Sequence, residues 1–290
     1  MSKLLLFFPI FAYCSNNLMN YALPNLSDYG FFKNPIKSQV VVEGIISYEI
    51  ASPLFSDYAE KLRYIKIPKG KIITTDQNDL IFPIGTTIIK TFYYPDDFRK
   101  MNSNRNLIET RLLIKTETDW LAIPYVWNEE QTDAYLSIAG DRIPVSWIDK
   151  NGVENQLLYS VPNVNQCKAC HVNNNFLQPI GPKIRNLNMI YRYDNEKINQ
   201  ITRWVNLGIL EPFENFNYLP RTVNYENKND GSLDQRARAW LDINCAHCHS
   251  SGGPAESSGL YLNYEEKSLS KLGVLKRPIA AGRGSGDLNY

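Results

Sequence analysis

The segment "SLDQRARAWLDINCAHCHS", Ser232 to Ser250, carries an amphipathic pattern directly into two cysteines and two histidines within five consecutive positions. Ser232 and Gln235 have the spacing of a capping box, in which each side chain accepts from the other residue's free backbone N–H. Leu233, Ala237, Trp240 and Leu241 follow as an apolar stripe, so a helix is expected to run straight into the cysteine cluster. A second cluster, "NQCKACHVN" from Asn165 to Asn173, uses two more cysteines and the one remaining histidine of a chain with five cysteines and three histidines. Only Cys14 stands apart.

Both clusters contain C-x-x-C-H: Cys167, Cys170 and His171 in one, Cys245, Cys248 and His249 in the other. This is the attachment sequence of c-type haem. Two thiols three positions apart can add to the two vinyl groups of one porphyrin, and the next residue then presents an imidazole nitrogen to the iron. From composition alone a given cysteine has this context with a chance of roughly 1 in 6,000, so two occurrences are not accidental. A shared four-cysteine zinc site would have to bridge about 75 residues, where zinc ribbons place about 15 to 20 between pairs. Thioredoxin-like redox pairs want a βαβ context that is missing, and disulfides leave the repeated histidine unexplained. The expected cofactors are therefore two covalent haem c groups, with His171 and His249 as iron ligands. His247 lies between two thioether anchors and cannot reach the same iron as His249.

The far side of each iron is less determined. Met189, 18 residues after His171 in "RNLNMIYRY", is a candidate ligand for the first iron, and it also suits a core position. Met101, in "FRKMNSN", is a second candidate. After His249 there is no Met and no His.

The formal net charge of +1 and a pI near 7.6 exclude the concentrated field of one sign that a nucleic-acid binder needs. With 290 residues, 43% of them hydrophobic, the chain can bury a large core or two smaller ones. At the start, "MSKLLLFFPIFAYC" places Lys3 before the apolar run Leu4 to Ala12. That run is shorter than the roughly 20 residues a membrane span requires. It reads as the core of a signal peptide over residues 1–20, with a buried first element as the bland alternative. Cys14 is then either removed with the signal or the lipid anchor of an envelope lipoprotein, for which the following Ser15, Asn16 and Asn17 would be a polar tether. The expected location is the periplasm or cell envelope.

Residues 40–160 read as a β-rich domain. The runs "VVVEGIISYEI", "LRYIKIP", "GKIITT", "DLIFPIGTTIIKTFYYP", "IETRLLIKT" and "WLAIPYVW" are broken by Pro, Gly, Asp and Asn at hairpin spacings. Residues 161–290 read as a mostly α-helical region. Besides the helix before Cys245, Ile198, Ile201, Trp204 and Val205 recur at helical spacing, with Gly208 at a C-cap. The first cysteine motif is expected to follow a loop, "YSVPNVNQ", because Pro162 opposes a helix. "YENKNDGS", from Tyr225, is expected as a surface loop.

Beyond these patterns, the segments "YEIASPLFSDYAEKLRYIKIP", "FPIGTTIIKTFYYP", "IETRLLIK", "YVWNEEQTDA", "VPNVNQCKACH", "PIGPKIRNLN", "RARAWLDINCAHCH", "GGPAESSGL" and "AAGRGSGDL" resemble a bacterial family of exported di-haem c-type cytochromes. The resemblance covers about Tyr48 to Leu288. It implies two covalent haems, electron transfer and an envelope location with a redox partner protein there, while the α+β class, a β-rich part followed by a cytochrome c-like region, is the reading of the residue patterns above. Members continue past "GRGSG" into a segment with a methionine and a terminal helix, so the expectation is either an incomplete C-terminal end or a second haem without its usual sixth ligand. The competing expectation is a haem enzyme, peroxidase-like or dehydrogenase-like, with one open iron and an acid or base above it. Glu129, Glu130 and Asp133 in "WNEEQTDA" are its candidate carboxylates, although a polar loop explains them equally well. "GRGSG" lacks the ending of a phosphate loop and reads as a tight turn. Lys267, Lys271, Lys276, Arg277 and Arg283 form a mildly basic tail, read as a solvated face or a dock for an acidic partner.

Overall fold

The computed structural model describes residues 18–276, apart from residues 19, 78, 101–103, 194 and 195. The apolar run of the expected leader, Cys14, Met101, Arg277, Arg283 and "GRGSG" lie outside the described residues. Among the described residues, no helix is long and apolar enough to cross a membrane.

The β-branched and aromatic runs each contain a strand, although the first contributes only three residues, and the strand Ala134–Leu136 lies outside those runs. In chain order these strands are β1 (Ile45–Ser47), β2 (Glu60–Lys66), β3 (Thr74–Asp76), β4 (Asp79–Ile81), β5 (Thr87–Pro95), β6 (Arg105–Lys115), β7 (Trp120–Trp127) and β8 (Ala134–Leu136). All but β3 and β4 join one antiparallel sheet in the order β1-β2-β5-β6-β7-β8. Its strands read as nearly continuous apolar runs because both faces are covered. One cross-strand row, Tyr64, Ile89, Leu112 and Ile123, faces the N-terminal segment and packs on Leu26, Phe31, Phe32 and Ile36. The neighbouring row, Ile65, Ile88, Leu113 and Ala122, points to the opposite face.

That second face receives the C-terminal half of the chain. Ile65 and Ile88 share a core cluster with Ile184, Leu187, Ile201, Trp204 and Ile243. A hairpin of β9 (Asp141–Ile148) and β10 (Glu154–Val161) closes the sheet's other end, where Phe92, Tyr94 and Ile108 meet Val145, Trp147 and Tyr159. Hydrophobic burial is thus continuous across residue 160.

The α+β class holds, but among the described residues the region after Val161 is not mostly helical. Its helices are α1 (Val164–His171), α2 (Ile184–Leu187), α3 (Gln200–Asn206) and α4 (Leu233–Cys245). Between them lie two small hairpins, β11 (Val172–Asn173) with β12 (Phe176–Leu177) and β13 (Ile190–Arg192) with β14 (Lys197–Asn199). Helical periodicity around Ile198 begins too early: Lys197 to Asn199 pair as a strand, and the Asn199 side chain accepts from the Ile201 N–H at 2.9 Å to start α3. At its other end Gly208, at φ +67°, closes a Schellman turn with Ile209 N–H to Trp204 O at 3.1 Å, as its spacing predicts.

Two capping boxes start the helices that carry the cysteines. The predicted one is present on α4, with Gln235 N–H to Ser232 Oγ at 3.2 Å and Ser232 N–H to Gln235 Oε1 at 2.9 Å. The other corrects the loop expectation for the first motif. Asn163 and Gln166 cap each other at 2.9 Å, so Cys167, Cys170 and His171 all lie on α1. Pro162 stands one residue outside the cap, where its missing N–H and fixed φ cost the helix nothing.

Trp204 is fully buried between the sheet and α2, edge-on to Tyr48 at 5.8 Å between ring centroids. Trp204→Ala is expected to cost about 3–5 kcal/mol in denaturant unfolding, whereas Tyr218→Ala, at a ring 83% exposed, should cost less than about 0.5 kcal/mol.

Candidate functional site

On α1, Cys167 and Cys170 sit one helical turn apart on the same side. Cys167 is buried and Cys170 exposed. The helix packs on β7 and β12, which sets the buried thiol over the second face of the sheet. The next six residues decide the state of His171. Asn174 and Asn175, at φ +48° and +67°, make the two-residue turn between β11 and β12, a conformation asparagine tolerates better than most side chains. The turn brings Gln178 back beside His171. Gln178 N–H donates to His171 O at 2.8 Å, and His171 Nδ1 lies 2.7 Å from Gln178 O. Because a carbonyl can only accept, Nδ1 carries the proton and Nε2 keeps a free lone pair. The hairpin is held to the β6–β7 turn by Leu177 N–H donating to Asp119 Oδ1 at 2.8 Å.

The second motif reaches the same tautomer by another route. After α4 ends at Cys245, the chain keeps one more tight turn, with Cys248 N–H and His249 N–H donating to Cys245 O at 3.1 and 2.8 Å. His249 Nδ1 lies 3.1 Å from Ser258 Oγ. The Ser258 hydroxyl gives its own proton to Ala255 O at 2.7 Å, so its oxygen accepts from Nδ1–H. In both motifs the histidine after the second cysteine presents Nε2 as the available ligand atom. His247 differs: its Nδ1 is buried without a hydrogen-bond partner among the described residues.

Electrostatics favour the neutral forms. Burial, followed by the Lys90 cation, pushes the His171 imidazole down to about 4, so the ring is neutral at physiological pH. Burial likewise lowers His247, with Lys183 adding to it. All four described cysteines are free, and burial pushes the thiols of Cys167, Cys245 and Cys248 up. They are poised as thiols rather than as thiolates.

The two motifs adjoin. Asn173 Nδ2 donates to Ser251 O at 3.0 Å and Asn174 N–H donates to Gly252 O at 3.0 Å, joining the hairpin after His171 to the loop after His249. Gly252 is required there: its φ is +74°, and a Cβ would stand 2.4 Å from Asn174 Oδ1. Beneath this junction Asp242 on α4 accepts Arg185 at 2.7 Å on both oxygens, both residues being buried. A cleft lined by Cys170, His171, His247, Lys183 and Asp242 runs between the motifs.

A second cleft lies between α1 and the sheet. Cys167 and His171 line it on one side, with Ile88, Leu113 and Ala122 opposite. Lys61, Arg63, Lys90 and Arg111 also line it. None of these four cations was singled out by motif, yet the signal was present: each is a charge on the inward-facing parity of an otherwise apolar strand. Met189 lines a third cleft with Glu49, Tyr225 and Trp240, and this cleft shares Ile50, Leu54 and Arg63 with that of His171. The carboxylates considered for an enzyme do not converge on the cysteines. Asp133 accepts from Ser27 Oγ at 2.5 Å in the turn before β8, and neither it nor Glu129 or Glu130 lines any of these clefts.

Among the described residues, no three His, Cys, Asp or Glu side chains converge as a metal-chelating cluster. What the residues offer is two pairs of free thiols, each followed by one imidazole whose Nδ1 is engaged and whose Nε2 is available. That donor set fits a haem attached through thioethers, in which the thiols would bond the porphyrin and the imidazole would be the chain's donor to the iron. Comparison with protein-family models, with curated proteins and with solved structures finds no match.

In protein without haem, long-range 1H–15N NMR is expected to find His171 as the Nδ1–H tautomer, neutral until about pH 4. The unfolded chain takes up this proton near pH 6.5, before the folded one, so folding stability should fall as pH drops from about 6.5 towards 4. His171→Gln should flatten that part of the profile.

Proposed function

We propose that the protein is an exported di-haem c-type cytochrome that passes single electrons through two covalently attached haems to and from a partner in the cell envelope. Cys167 and Cys170 would anchor the first haem and Cys245 and Cys248 the second, with His171 and His249 as proximal ligands. The observation that carries this reading is the paired state of the two histidines: in each, an acceptor occupies Nδ1 and leaves Nε2 for iron.

The chain's own contribution is positional. The α1 helix and the turn after α4 hold each pair of thiols beside its histidine. The Gln178 carbonyl and the Ser258 hydroxyl fix each ring's tautomer and, by drawing on Nδ1–H, strengthen Nε2 as a donor. When bound, the haem supplies the one-electron couple. The hydrogen bonds at Asn173 and Asn174 join the segments of the two motifs, which suits exchange between two cofactors in one chain. An export leader, read from the first residues, agrees with haem attachment outside the cytoplasm.

Pyridine haemochrome analysis of protein matured with a c-type attachment system tests this. Two covalent haems per chain are expected, falling to one in Cys167→Ser/Cys170→Ser and to one in Cys245→Ser/Cys248→Ser. Two haems that stay low-spin in both oxidation states support the carrier. A high-spin haem that binds carbon monoxide would move the reading to a haem enzyme, and no covalent haem would overturn both.

A further inference from the structure

Arg63 on β2, Lys90 on β5 and Arg111 on β6 are direct cross-strand partners, so three cations stand side by side on one face in the middle of the sheet. Like charges directly opposite one another destabilise a sheet. On one side of the row Ile88, Leu113 and Ala122 are apolar, and on the other stands the buried Glu109.

The two outer cations are neutralised and the middle one is not. Arg63 is paired with Glu49. Arg111 donates through Nε to Glu109 at 2.8 Å, and Glu109, fully buried, also accepts from Tyr159 at 2.6 Å. Both arginines thereby become rigid parts of the wall. Lys90 has only the face of Phe92, 5.1 Å from its ammonium, and among the described residues no carboxylate lies within ion-pair distance of it. Burial, with Arg111 and Arg63 beside it, pushes its ammonium down to about 7. Lys61 lies towards the outer cleft, where Glu60, Glu49 and Glu226 offset part of its charge. The open side of Lys90 is the cleft that Cys167 and His171 also line.

We propose that Lys90, flanked by Arg63 and Arg111, is a carboxylate-binding site in the cleft beside the first cysteine motif. Resting on the haem reading above, the occupant is a propionate of the haem on Cys167 and Cys170. The apolar side chains of Ile88, Leu113 and Ala122 beside a cationic row suit a hydrocarbon group that ends in a carboxylate, which Lys90 would hold. A free small carboxylate is the other source of the same chemistry.

The test combines potentiometry with carboxylate titration on the haem-loaded wild type, Lys90→Met and the charge-keeping Lys90→Arg. Lys90→Gln serves if Lys90→Met does not fold. Removing a cation beside the haem favours its oxidised form. A propionate occupant therefore predicts a lower first-haem potential in Lys90→Met, by a change of about tenfold in the redox equilibrium (about 59 mV for one electron). Lys90→Arg should keep the wild-type value, and added sodium succinate should change neither spectrum nor potential. A saturable succinate response in wild type that Lys90→Met abolishes would support the site with a free carboxylate as occupant. Equal potentials in wild type and Lys90→Met, with no succinate response in either, would overturn the site. If the protein carries no covalent haem, the proposed function fails separately. Succinate binding by calorimetry then decides: heat lost in Lys90→Met supports the site, and no heat in wild type overturns it.

Discussion

Everything at the two cysteine motifs depends on where one imidazole proton sits. A histidine can serve as a metal ligand only when neutral, and through Nε2 only when its proton is held on Nδ1. His171 meets a backbone carbonyl and His249 a hydroxyl whose proton is already committed, so both rings are fixed in the same form by unrelated means. Each acceptor depends on local structure with its own cause. Gln178 is delivered by a two-asparagine turn, and Ser258 is placed by the bends after Gly253 that tie Ala255 N–H to Cys248 O at 3.0 Å. The third histidine, His247, sits between them in sequence and lacks such a partner among the described residues.

The sheet is the base on which the first of these arrangements is built. Because both of its faces are buried, one receives the N-terminal segment and the other receives α1, α2 and α3 together with the cleft under Cys167. The charged row on that second face would be a liability in a wall with no ligand, since the apolar residues around it would stabilise the same packing at lower cost. Arg111, Glu109 and Tyr159 also tie this wall to β10, whose last residue, Val161, leads through Asn163 into α1. The cleft, the helix that carries the thiols and the anchoring hairpin are therefore one packed unit rather than a cofactor segment appended to a β domain.

Much of this was legible from the sequence where the signal is local. The strands followed the β-branched runs, α4 began at its Ser232 and Gln235 box, and α3 ended at Gly208. The start of α1 is hidden in the sequence because Pro162 reads as a breaker, whereas the Asn163 and Gln166 box one residue later overrides it. The helical content after residue 161 was overestimated because periodicity cannot tell a capped seven-residue helix from a longer one, and β13 and β14 draw their stability from each other. The cysteine motifs were plain in the sequence. The acceptors that set their histidines, and the cations across the cleft from Cys167, were not, since both come from pairings that only the folded chain brings together.

The central claim is that each C-x-x-C-H motif holds one covalent haem with its histidine on the iron. Intact-mass spectrometry of the protein matured with a c-type attachment system, followed by peptide mapping, addresses it most directly. The account predicts a mass increase of two haems, one on the peptide with Cys167 and Cys170 and one on the peptide with Cys245 and Cys248. Four unmodified thiols, bound zinc or disulfides on those peptides would contradict it.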